Sequence, residues 1–160
     1  EVGNVFDLGQ KYSKAFELTF TDAEGKKEYP IMGCYGIGIS RTMGVIVEKF
    51  NDERGILWPA SIAPFTVHLV SLNTNDEAVI KRADEAYELL TKAGVDVLYD
   101  ERTDVGAGQK LAEADMIGCP IRAIVSTKTE DKIEVKMRSE KEAKLVSVDE
   151  LITLANALGA

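Results

Sequence analysis

Metal-ligating and redox residues are scarce in this chain. It has a single histidine, His68, and two cysteines, Cys34 and Cys119, far apart and in no CxxC pair. That is too few ligands for a zinc site and too few thiols for a disulfide framework, so no structural metal is expected. His68 sits in the alternating "TVHLV" and reads as a strand residue without a chemical task. Long apolar runs are missing too. None approaches the roughly eighteen residues of a membrane span, and the N-terminus lacks a basic region followed by an apolar core. A cytosolic location is expected. Positive charge is in deficit, with 19 Lys and Arg against 27 Asp and Glu, a net charge of -8. That balance argues against indiscriminate nucleic-acid binding and leaves room for one specific RNA partner on a locally basic surface; no DNA partner is expected.

What is present is an ordinary globular composition, 45% apolar and 29% charged over 160 residues, enough for one medium domain or two small ones. Residues 1 to 20 and 29 to 35 read as extended runs joined by a Gly25-containing turn, an antiparallel hairpin. Ile39, Met43, Ile46, Val47 and Phe50 then recur at helical spacing. Pro59 and Pro64 bracket an irregular stretch, and the domain boundary is set near Pro64, dividing 1–63 from 64–160.

Beyond Pro64 strands and helices alternate. "TVHLVSL" predicts a strand, and "TNDE" (74–77) a capping box that starts a helix. That helix carries Val79, Ala83, Ala86, Leu90 and Ala93 on one face and ends at Gly94. "VDVLYD" predicts a second strand, parallel to the first, and "GAGQKLAEADMIG" a helix closed by Gly118. "IRAIVST" and "KIEVKMR" predict two more strands, with Ile133, Val135 and Met137 facing inward. Ser147 and Glu150 form another capping box, opening a last amphipathic helix. The alternating charges of 128–144 read as a solvated hairpin. The second part is therefore expected to be an α/β domain with a mixed sheet and about three helices.

"GCYGIGISRTMG" (33–44) poses the chemical question, with glycines at 33, 36 and 38 followed at once by Ser40, Arg41 and a helix. The spacing is neither the dinucleotide fingerprint nor a Walker loop. Two readings stay open. Glycines relieve crowding where a strand turns into a helix, and Arg41 is then a solvated first-turn residue. Alternatively, the bare backbone lets a planar ligand lie against the strand while Arg41 and the helix start hold a phosphate. An arginine in a first helical turn opposes the helix dipole, which favours the second reading.

"GCYGIGISR" closely resembles motif 3 of the class II aminoacyl-tRNA synthetases. "EVGNVFDLGQKYSKAF" and "GILWPASIAPF" look like the bacterial-type prolyl-tRNA synthetases, and "DERTDVGAGQKLAEADMIGCPIR" resembles that family's C-terminal anticodon-binding domain, a fold shared with the histidyl, threonyl and glycyl enzymes. The resemblance covers essentially all 160 residues. It implies an α/β mixed-sheet anticodon-binding domain preceded by an incomplete antiparallel-sheet segment of a class II catalytic domain. It also implies an enzyme that joins proline to its tRNA through prolyl-adenylate, using ATP with Mg²⁺, as a homodimer. By similarity Arg41 would be catalytic, holding the γ-phosphate, with Gly36 and Gly38 leaving room for adenine and ribose, and Gly33 and Cys34 bordering the proline pocket. Asp100, Glu101, Arg102 and Lys110 would read the anticodon. Motifs 1 and 2 and the editing insertion are not in the sequence, which starts without methionine. The chain reads as a fragment, inactive alone, with a non-catalytic tRNA-binding or regulatory module as the alternative.

Overall fold

The computed structural model describes residues 2–72 and 75–159, which fall into two compact units, Glu1–Ile46 and Val47–Ala160. In the first unit β1 (Gly3–Gly9) is followed by a single helical turn, α1 (Lys11–Ala15). The short hairpin β2 (Phe20–Thr21) and β3 (Lys27–Glu28) comes next, then β4 (Met32–Ile37) and α2 (Ile39–Lys49), which runs across the division between the units.

The two expected runs do pair antiparallel, through β1 and β4, while the part of the hairpin beside the turn is small. Asp22 shapes the turn by accepting from Lys26 N at 2.7 Å, with Gly25 at φ 81°, yet only two residues pair on each side. β4 lies antiparallel to β1, with Asn4 opposite Gly36 and Phe6 opposite Cys34. The run expected to be extended up to Phe20 contains α1 because polar contacts pin that turn. The hydroxyl of buried Ser13 donates to the Pro30 carbonyl at 2.8 Å, and Gln10 Nε2 donates to the Tyr29 carbonyl at 2.8 Å. Apolar periodicity carries no trace of such bonds.

α2 forms where the spacing predicts it, but none of its residues is buried. Ile39 and Met43 on its apolar stripe are exposed, as are Val5, Phe6, Tyr35 and Ile37 on the β1–β4 ribbon.

In the second unit a small hairpin, β5 (Asn51–Asp52) and β6 (Gly55–Ile56), precedes a 3₁₀ turn at Ala60–Ile62. The remaining elements are β7 (Val67–Ser71), α3 (Glu77–Lys92), β8 (Val97–Asp100), α4 (Ala107–Ile117), β9 (Ile121–Val125), β10 (Ile133–Met137), β11 (Ala143–Val146) and α5 (Val148–Gly159). Five strands form one mixed sheet in the order β11-β10-β9-β7-β8, with β7 parallel to both β8 and β9 and the other pairs antiparallel.

Strand alternation divides the side chains between two faces. Val67, Leu69, Ile121, Ala123, Val125, Ile133 and Val135 form the main core with Val79, Ala83, Ala86 and Leu90 of α3 and Leu151 and Ala155 of α5. On the other face Val70 and Ile124 meet Leu111 and Ala114 of α4. Of the five residues the spacing selects, Val79, Ala83, Ala86 and Leu90 are buried, while Ala93 caps the end of α3 and is exposed. The helix is capped by Asp76, which accepts from Ala78 N at 2.9 Å; Thr74 of the expected box lies outside the described residues. The second box forms as predicted, Ser147 N donating to Glu150 Oε2 at 2.7 Å and Glu150 N to Ser147 Oγ at 3.2 Å. Among the described residues no helix is long and apolar enough to cross a membrane.

One expectation fails clearly. The stretch 128–144 is not uniformly solvated, because Thr129, Lys136 and Arg138 are buried. Arg138 is held from both sides: its Nη1 and Nη2 donate to the two Asp52 carboxylate oxygens at 2.8 and 2.7 Å, and its Nε to the Asp115 carbonyl at 2.8 Å. A surface-like alternation of charge conceals this, since the partner carboxylate is 86 residues away.

Candidate nucleotide and anticodon sites

Gly38 joins β4 to α2. Its N–H donates to the Val2 carbonyl at 2.8 Å, and its own carbonyl accepts from Thr42 N at 2.8 Å and Thr42 Oγ1 at 3.0 Å, the first turn of the helix. Arg41 folds back over it. A Cβ at Gly38 would lie 3.3 Å from Arg41 Cβ and 3.9 Å from Arg41 Nε, so the guanidinium stem starts directly above the bare backbone. A Cβ at Gly36 would meet nothing within 4 Å, leaving open space over the strand.

Alternation along β4 separates residues that adjoin in sequence. Cys34 and Gly36 share one face with Asn4 and Phe6 of β1, whereas Gly33 lies on the opposite face with Tyr35. The Tyr35 hydroxyl closes over Gly33, 2.7 Å from where a Cβ would be. Cys34 is exposed, not a buried wall residue. Gly36, Gly38 and Arg41 are thus brought together at one end of the strand, and Gly33 and Cys34 are not brought onto one surface.

In the second unit the loop after β8 carries a charged cluster. Arg102 grips Asp100 in bidentate fashion, Nε to Oδ1 at 2.9 Å and Nη2 to Oδ2 at 2.8 Å, and reaches Glu113 Oε2 with Nη2 at 2.6 Å. Gln109 Nε2 donates to Glu113 Oε1 at 2.7 Å. Glu101 and Arg102 face solvent, while Asp100 is buried. Lys110 differs from what the sequence suggests: it is 1% exposed, and its ammonium donates to the carbonyls of Ser71 at 2.9 Å and Asp100 at 3.4 Å. It also stands 3.5 Å from Asp100 Oδ1. The four residues do converge, two outside and two beneath. Glu113 and Gln109 belong to the same cluster and were missed; their i, i+4 spacing on a predicted helix is the one signal that points to them.

Residues 66–158 match the family model described as "Anticodon binding domain". The chain belongs to that family. Residues 1–50 match a second model, "tRNA synthetase class II core domain (G, H, P, S and T)". Over nearly its whole length the chain is also similar to curated proteins called "Proline--tRNA ligase". Identity is 52% over 153 residues with that of Geobacillus sp. (strain WCH70), 48% over 154 with that of Bacillus pumilus (strain SAFR-032) and 47% over 160 with that of Bacillus mycoides (strain KBAB4). These alignments take in 95%, 96% and 99% of the chain but 27%, 27% and 28% of the relatives, so it spans about a quarter of their length. That quarter comprises the end of the class II core and the anticodon-binding domain.

The electrostatics of the anticodon-binding domain follow from its pairings. Hydrogen bonds from Arg102, opposed by desolvation and reinforced by Lys110, hold the Asp100 carboxyl at about 2. Burial, with Arg102 and Arg122 adding to it and Asp100 opposing, keeps the His68 imidazole below its ordinary value, favouring the neutral ring. Burial pushes the Cys119 thiol up to about 11, which leaves it inert. A carboxylate depressed on folding contributes stability that is complete above its unfolded value of about 4 and is lost as pH falls through the folded one. The chain should therefore lose this contribution between about pH 4 and pH 2. Urea unfolding of the parent and Asp100→Asn checks it: the gap between their midpoints should narrow from about pH 5 to about pH 2.5, and a constant gap would refute the assignment.

Proposed function

We propose that the chain is the motif 3 and anticodon-binding portion of an enzyme that joins proline to its tRNA. The observation that carries this reading is the 52% identity to a proline--tRNA ligase along almost the entire chain. The functional division is taken near Pro64, with 1–63 serving the catalytic core and 64–160 the RNA; the family models, ending at 50 and resuming at 66, support it.

In this reading proline's carboxylate oxygen attacks the α-phosphorus of ATP, pyrophosphate leaves, and the prolyl group passes to the terminal adenosine of the tRNA. Arg41 is the catalytic residue of this portion. Its guanidinium receives the γ-phosphate of an ATP carried with Mg²⁺, stabilising charge on the departing pyrophosphate. Gly38 allows Arg41 to fold back, and the open side of Gly36 accommodates the adenosine. Cys34, on the face of Gly36, borders the proline pocket, while Gly33 acts from the other face by admitting Tyr35. On the anticodon side Glu101 and Arg102 meet the bases: a carboxylate accepts from base amino groups, and a guanidinium reaches their acceptors and phosphates. Asp100 aims Arg102, and Lys110 holds the loop from beneath. The whole enzyme is a cytoplasmic homodimer.

The test is proline-dependent ATP–pyrophosphate exchange. The 160-residue chain should show none above background, while the enzyme extended to the relatives' full length should exchange with proline and not threonine. In that enzyme Arg41→Ala should lower the adenylation rate by about 10²- to 10³-fold, the usual effect of removing one transition-state donor. Exchange by the chain alone, or an indifferent Arg41→Ala, would overturn the reading. The alternative, a non-catalytic tRNA-binding or regulatory module, requires anticodon stem-loop binding with no exchange by the extended protein.

A further inference from the structure

Arg122 on β9 and Lys136 on β10 stand directly opposite each other in the antiparallel ladder. They lie on the sheet face that α4 covers through Ile124, Leu111 and Ala114. Like charges facing across a ladder repel, and burial raises the cost. Lys136 is 8% exposed.

Compensation is incomplete. Asp115 of α4 is the carboxylate that meets these cations, accepting from Arg122 Nη1 at 2.9 Å and, with its other oxygen, from Arg54 Nη1 at 3.3 Å. Neighbouring Arg138 is already neutralised by Asp52. Three cations thus share one carboxylate. Two donors are left over among the described residues: Arg122 Nε is buried without an acceptor, and the Lys136 ammonium, at the edge of the buried cluster, makes no side-chain hydrogen bond or ion pair. Burial, with Arg122 adding to it and Asp115 opposing, keeps the Lys136 ammonium below the ordinary lysine value. Uncompensated buried charge is destabilising, and an apolar side chain would remove that cost.

We infer that Arg122, Lys136 and Arg54 form an anion site for a phosphate group, with Asp115 orienting the two guanidinium groups. A tetrahedral oxyanion has enough acceptors to take the Lys136 ammonium and the outer edge of Arg54 together beside the Arg122 guanidinium, and its negative charge offsets the local excess. Arg54 is half exposed, so the cluster is reached from solvent on its side. The phosphate can belong to a nucleic-acid backbone or be free in solution. The inference stands on this cluster and not on the assignment of Asp100 to Lys110.

The test titrates inorganic phosphate into the chain at constant ionic strength, reading heat and melting temperature. Phosphate should raise the melting temperature where sodium chloride does not. Arg54→Gln and Lys136→Met should each weaken phosphate binding about tenfold, the size of one charge-assisted contact. Arg54 is exposed enough for its variant to keep the fold, and Lys136→Met should melt no lower than the parent without phosphate. A second arm measures binding of an anticodon stem-loop RNA across salt concentrations. Lost phosphate binding together with a salt slope lowered by about one assigns the site to a backbone phosphate. Lost phosphate binding with unchanged RNA binding assigns it to free phosphate. A phosphate response that is absent, or that both variants retain, overturns the site.

Discussion

Gly118→Ala should destabilise the anticodon-binding domain by about 3 kcal/mol or more, while Gly94→Ala should cost only about 1 to 2 kcal/mol. Both glycines close helices in the left-handed region, at φ 79° and 78°, so both variants carry the same backbone strain. Their surroundings differ. A Cβ at Gly94 would meet nothing within 4 Å, whereas at Gly118 it would fall on the backbone carbonyl of Ile56. Gly55 approaches from the other side, where a Cβ would strike the backbone of Met116. The β5–β6 hairpin therefore docks on the end of α4 backbone to backbone, without side chains that could move aside. Trp58 locks the contact, its indole N–H donating to the Ile117 carbonyl at 3.0 Å and its backbone N–H to the Gly118 carbonyl at 3.3 Å. It is the only tryptophan, so its fluorescence in urea reports this junction. Equal losses at Gly94 and Gly118 would show that the hairpin yields and the close approach carries little energy.

Lys110→Met is expected to cost about 3 kcal/mol, because it leaves the buried Asp100 carboxylate short of one partner and the Ser71 carbonyl without its donor. Arg102→Gln should cost less than Lys110→Met, since the Arg102 side chain is 44% exposed and water can take over part of what it gives Asp100. The two variants should reverse order in RNA binding. Arg102→Gln should weaken an anticodon stem-loop about tenfold, the loss of one charged contact. Lys110→Met, assayed at a temperature where it is folded, should leave affinity within about twofold, a smaller change than any direct contact would cost. A stable Lys110→Met that loses RNA affinity would restore the direct role that the sequence resemblance implies.

These two residues show where reading a sequence succeeds and where it stops. "DERTDVGAGQK" has the look of a solvated loop entering a helix, and a lysine there reads as a surface group. Lys110 is turned inward because the Ser71 carbonyl at the end of β7 and the end of β8 both need a donor, and those strand ends meet only in the folded sheet. Arg138 misleads in the same way. Alternating charge predicts exposure when each residue is weighed with its sequence neighbours, but Asp52 and Asp115 come from distant segments. In the first unit the helical turn α1 was equally out of reach, because Ser13 and Gln10 hold it to carbonyls 17 and 19 residues away.

Local physics was legible wherever a period or a cap decides the outcome. The apolar stripe of α3, the alternation of β7, β9 and β10, the reciprocal Ser147–Glu150 cap, the left-handed ends at Gly94 and Gly118 and the parallel β7–β8 crossover all follow from residues within one or two turns of each other. The glycine spacing before Arg41 likewise marked a strand-to-helix junction able to expose backbone. Tertiary structure alone decided which charges lie inside and where the hairpin docks. Each of those depends on groups far apart in the chain arriving within about 3 Å, the range of a hydrogen bond, which no local periodicity encodes.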